Sequence, residues 1–160
     1  MGSIVQSGAV TPGHRANWVT DGVLGDGGPP LVSNKVIGRI LMADFNTISD
    51  QPIILSPSIN AFQLTTIIVT NASIPLTVAF GGFYPLSNKA GTPLVASSQG
   101  YSALTTANIL LQPTLTTYAL TTRFSANVLT SGWQLYFSLS TPQGIAATGD
   151  IYVTGIDLSA

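Results

Sequence analysis

The chain has no cysteine and no glutamate, one histidine, and charged side chains at only 7% of its 160 positions. Without cysteine there are no disulfides, no thiolate nucleophile and no thiolate metal site. Without glutamate, six aspartates are the only side-chain carboxylates, so acid/base and metal chemistry have few candidates. The five cations, Arg15, Lys35, Arg39, Lys89 and Arg123, are scattered along the chain. Binding nucleic acid requires a basic stripe that displaces counterions from phosphates, and none can be assembled here. Long apolar runs are missing too: the stretch from Gln51 to Asn88 is broken by Pro52, Pro57, Pro75, Gly81, Gly82 and Pro85. A spanning helix needs about 20 mainly apolar residues, so no membrane partner is expected. The opening Met1-Gly2-Ser3-Ile4 lacks the basic and apolar regions of a signal peptide, and Gln6 stands where myristoylation requires Ser or Thr. The lack of cysteine suits a cytoplasmic setting.

What is abundant is threonine, serine, glycine and β-branched residues. Residues 1–35 hold seven of the sixteen glycines and the Pro29-Pro30 pair without sustained periodicity, which predicts an extended amino-terminal arm that becomes ordered on another surface. From residue 36 to 160 the pattern changes to that of strands. In the segment 133–140, Trp133, Leu135, Phe137 and Leu139 alternate with polar or amphipathic residues, the signature of a half-buried antiparallel strand. Comparable runs cover 36–45, 51–55, 62–70, 76–80, 93–97, 117–123 and 150–158. Turn chemistry at 71–73, Gly81-Gly82, 88–91, Ser131-Gly132 and 148–150 separates them. The expected fold is therefore all-β: an antiparallel β-sandwich, jelly-roll-like, over 36–160, with short helical pieces at most at 105–111 and 142–147. With so few charges to guard sheet edges, partner subunits are expected to cover them.

Each chemical candidate has a plainer reading beside it. His14, in Thr11-Pro12-Gly13-His14-Arg15, is the only imidazole and has no second histidine with which to share a metal; packing or hydrogen bonding suits it better than catalysis. The segment from Asp21-Gly22 to Asp26-Gly27-Gly28 resembles a calcium loop in composition but lacks the alternating ligands and closing glutamate, so turn formation explains it. Gly81-Gly82 lacks the spacing and lysine of a phosphate loop, and a bulge or tight turn is the better account. Asn71-Ala72-Ser73 matches the glycosylation triplet, with nothing to indicate a secretory route. Tyr84, Tyr101, Trp133, Tyr136 and Tyr152 offer faces for a sugar-binding platform, although in an all-β domain most such residues belong to core or interface. Asp44, Asp50 and Asp150 are the aspartates that would have to meet in space to make an enzyme. The sequence thus points to a protein with no catalytic residue, no cofactor and no metal.

One resemblance spans nearly the whole chain. The series 8–14 (Gly-Ala-Val-Thr-Pro-Gly-His), followed by Trp18-Val19-Thr20-Asp21-Gly22-Val23 and Asp26-Gly27-Gly28, resembles the opening of many small virion proteins of tailed bacteriophages and prophages. Blocks in the body, among them Asp44-Phe45-Asn46, Gly81-Gly82-Phe83-Tyr84 and Asp150-Ile151-Tyr152-Val153, are similar to segments of phage structural proteins. The resemblance implies a virion component of head-decoration, head-fibre or tail-associated type, and it brings no catalytic residue with it. On that basis the expected function is a capsid decoration or cement protein, with a tail- or fibre-associated module, of receptor- or glycan-binding type, as the alternative. Its expected partners are the major capsid protein or other virion proteins and copies of itself, with a trimer favoured over a dimer as in virion appendages generally. The arm supplies the anchors: His14, Trp18, Val23, Leu24 and Leu31, with Val19 and Val32 beside them, Trp18 foremost because large aromatics dominate interface hot spots. The plainer reading has Trp18 packing on its own sandwich.

Overall fold

A computed structural model describes residues 5–6, 16–20, 23–26, 34–56, 62–107, 109–115 and 134–157. The chain divides into two units, Met1–Ser33 and a larger one from Asn34 to Ser159. In the first, β1 (Val5–Gln6), β2 (Ala16–Thr20) and β3 (Val23–Asp26) form a three-stranded sheet in the order β1-β3-β2. β2 and β3 run antiparallel with Trp18 opposite Leu24, and β1 lies parallel to β3. The arm was expected to be extended, without sustained periodicity; Trp18, Val19 and Thr20 before Asp21-Gly22, and Val23 and Leu24 after it, are strand formers around a dipeptide that favours hairpins. The short runs hid that signal.

The larger unit is an antiparallel β-sandwich. Its strands are β4 (Asn34–Asp44), β5 (Gln51–Ile54), β6 (Phe62–Thr70), β7 (Phe80–Tyr84), β8 (Leu110–Leu111), β9 (Gln134–Thr141) and β10 (Thr148–Asp157). One sheet has the order β4-β10-β6-β8 and the other β5-β9-β7. Consecutive strands therefore alternate between sheets, and every connection crosses from one to the other. Period-2 patterning sends one face of each strand inward: Leu135, Phe137 and Leu139 of β9 meet Ile67 and Val69 of β6 and Ile151 and Val153 of β10 in a single core. Phe45, Tyr101, Phe83 and Phe137 lie at its centre with ring centroids 5.1–6.0 Å apart where they meet. Tilted and edge-on rings at these separations set the positive edge of one against the negative face of another.

Several expected elements are shifted. The strand expected at 76–80 begins only at Phe80, because the amides of Val78 and Ala79 are held by a side chain, the Gln143 carboxamide, at 3.1 and 3.2 Å. Gly81-Gly82, expected to separate strands as a bulge or tight turn, instead lies inside β7, and the register slips between Phe80 and Gly81, which is the bulge of those two readings. A Cβ on Gly82 would sit 2.4 Å from the Val95 carbonyl oxygen, so only glycine admits the neighbouring segment that closely. That segment, expected as a strand over 93–97, contributes only isolated bridges from Val95 to Phe83 and, beyond its expected end, from Gly100 to Phe80. No helix occurs among the described residues. Leu110 and Leu111 pair instead with Thr70 and Val69, and within 142–147 the Gln143 amide and Ala147 carbonyl are bonded to Phe45. The turn expected at 148–150 is the start of β10, with a slip between Gly149 and Ile151. The strand expected at 117–123, the turn at Ser131-Gly132 and Trp133 lie outside the described residues.

Candidate functional site

The carboxylates that an enzyme would have to gather are each tied to a different loop. Asp150 accepts the Met42 amide at 2.9 Å and the Asn71 side-chain amide at 2.7 Å. Asp44 accepts the amide of Asn46 at 2.7 Å, and Asp50 accepts the amide of Asn88. Among the described residues no three histidines or carboxylates stand close enough to hold a metal ion. Asp50 borders a shallow depression of about 370 Å³ with Ile48, Ser49, Asn88 and Lys89. Asn88 and Lys89 both have left-handed backbone, φ 58° and 57°, in a turn closed by the Ala90 amide on the Ser87 carbonyl. The Asp50 carboxylate is thus spent on shaping a turn of the kind that joins hairpins.

Among the described tyrosines, two are withdrawn from any platform. Tyr84 and Tyr101 are buried, and Tyr101 donates its hydroxyl to the Gly81 carbonyl at 3.2 Å. Burial pushes the Tyr101 phenol far above the ordinary tyrosine range, and nearby Tyr84 adds to the rise. This is the core placement expected for most of these aromatics, and it takes these two away from any ligand face; Tyr136 and Tyr152 are half-buried.

Of the expected anchors, Trp18 lies in β2, and Val23 and Leu24 lie in β3, where Leu24 is paired on both sides, with Trp18 and Gln6. His14 and Leu31 lie outside the described residues, as does Val32. Residues that sequence reasoning did not single out matter more in the described part. Gln143 is buried, and its side chain accepts two amides and donates to the Pro75 carbonyl at 3.2 Å. Gln51 performs a related task at the margin of β4, where its amide both accepts from the Asp44 N–H and donates to the Asp44 carbonyl, each at 2.7 Å. A side-chain amide there imitates the next strand.

β4 carries exposed apolar side chains. Val36, Leu41 and Met42 are 54%, 52% and 72% exposed. The pairing of β4 with β10 shows two slips. At the second, Leu41 and Met42 together oppose the single residue Asp150, and Met42 adopts φ 58°. Left-handed backbone is uncommon for a long unbranched residue, and here the Asp150 carboxylate holds it in place. The edge is otherwise guarded within the chain: Leu55 bridges to Gly38, the Ser56 amide bonds to the Ile37 carbonyl, and Gln51 caps Asp44. No protein family, no curated protein and no solved structure matches this chain.

Proposed function

We propose that the protein is a non-enzymatic bacteriophage virion component, a capsid decoration or cement protein that sits on the shell and stabilises it. The observation that carries this reading is the coincidence of two boundaries: the virion-like opening, Gly8 to Gly28, falls wholly inside the unit Met1–Ser33, separate from the sandwich. A unit of 33 residues is too short to bury a sizeable core of its own. Ordering its backbone costs about 1–2 kcal/mol per residue, and contact with a shell surface supplies what offsets that cost. Trp18, Val23 and Leu24 are its anchors. The sandwich supports the same reading, because consecutive strands alternate between sheets in the orders β4-β10-β6-β8 and β5-β9-β7, with two isolated bridges beside β7. We read this as a jelly roll, an architecture used by viral shells, whose eighth strand is reduced to those bridges. Strengthening a shell requires area and many copies rather than chemistry, and Asp44, Asp50 and Asp150 are engaged by backbone amides.

The test is deletion of residues 1–33 followed by particle binding. The truncated protein is expected to remain folded and to lose its place on shells. Full occupancy by the truncated protein, or imaging that finds the intact protein only at the tail, would overturn the reading.

A further inference from the structure

We propose that β4 is a self-association surface, on which a second copy of this chain packs antiparallel with the two-fold axis passing between Leu41 and Met42. The argument starts from the bulge. Along a regular strand, residues an odd number apart point to opposite faces. Arg39 and Asp44 are five apart, and the extra residue at Leu41–Met42 returns both to the exposed side, while Ala43 between them is buried. The result is a short series with a cation at one end, two exposed apolar side chains in the middle and a carboxylate at the other end. Such a series complements itself when reversed. An axis between positions 41 and 42 sets Leu41 against the second copy's Met42, and Arg39 against its Asp44, twice over. No other partner is needed to satisfy both the charge and the apolar centre.

The same geometry fixes how the copies meet. Backbone pairing edge to edge is blocked by the Gln51 amide, by the Leu55 bridge and by the bulge, so side chains make the contact. Stacking one sheet face on the other would set Asp150, opposite the bulge and one strand further in, against its own copy. Like charges there are unfavourable, and this confines the contact to the exposed side chains around the bulge, without overlap of β10 on its own copy. The left-handed Met42 is then the central knob, presented by a backbone that Asp150 and Asn71 hold from behind.

The inference is independent of the virion reading, because its test uses the purified full chain without particles. Sedimentation velocity at tens of micromolar is expected to show a dimer. Met42→Asn keeps a residue that tolerates left-handed backbone and removes the apolar knob; it is expected to weaken the dimer about tenfold or more without lowering the melting temperature of the monomer. Arg39→Asp is expected to dissociate the dimer, and combining it with Asp44→Arg to restore it. Since the chain has no cysteine, Leu41→Cys introduces its sole thiol, and a short bis-maleimide is expected to link two copies there but not through Ile145→Cys, an exposed control elsewhere. A monomer at these concentrations, a trimer, or a dimer indifferent to Met42→Asn and not linked through position 41 would each overturn the proposal.

Discussion

Gln143 holds the segment 75–79 with one side chain, accepting from the Val78 and Ala79 amides and donating to the Pro75 carbonyl and, more weakly, to Thr77. Replacing it by leucine keeps most of the volume and strands those backbone groups. Gln143→Leu is expected to cost about 2–3 kcal/mol, measured by urea denaturation, while Gln143→Glu should recover part of the loss only where its acid is protonated and can donate. Tyr101 gives a second residue-scale prediction, with a definite sign. In the folded protein its phenol is kept neutral by burial, whereas in the unfolded chain it ionises near the ordinary value of about 10. Below that pH the folded and unfolded chains bind the same proton and stability is unaffected; above it only the native state keeps the proton. Stability is therefore expected to fall as pH rises beyond about 10, by up to about 1.4 kcal/mol per unit from this group. Comparing denaturation at pH 9 and pH 11 in the parent and in Tyr101→Phe isolates the effect, since the variant should show the shallower fall.

At the scale of elements, β7 is defined by what passes beside it. Gly82→Ala would drive a Cβ to 2.4 Å from the Val95 carbonyl oxygen, and backbone cannot yield as a flexible side chain would. A loss of about 2–3 kcal/mol in thermal or urea unfolding is expected, with the bridges to Val95 and Gly100 losing amide protection first. The same strand shows why some elements were legible from sequence and others not. The limits of β6, Phe62–Thr70, follow from a long apolar alternation, and Leu135, Phe137 and Leu139 of β9 all turned inward as their spacing demanded. Segment 76–80 also alternates, but its amides bond to a glutamine more than sixty positions away, and no local pattern records such a partner. Residues 105–111 lack strong breakers and were open to a helix, yet Leu110 and Leu111 found an edge of β6 to pair with. The margin of β4 was hidden for the same reason: Met42 reads as one more apolar residue until Asp150, 108 positions later, takes its amide.

At the scale of the whole molecule, the core found among the described residues runs from Ile37 to Val153, within the unit from Asn34 to Ser159. Residues 34–160 produced alone are expected to unfold in one cooperative transition with a strand-type circular dichroism spectrum; a non-cooperative melt would show that the sandwich depends on the first 33 residues. The alternation of strands between sheets has a further consequence, in the order of events as the chain is made. β10 lies between β4 and β6 and supplies the ladder to both, yet it is the last of the three to be synthesised. Until it emerges from the ribosome, β4 and β6 have no common neighbour, and the long stretch between them and β10 must wait with its apolar faces uncovered. β4 is therefore expected to join the larger sheet only in a late step, when β10 inserts between it and β6, and an interrupted translation product that stops short of Thr148 is expected to keep apolar faces of both strands uncovered and to be a client for chaperones.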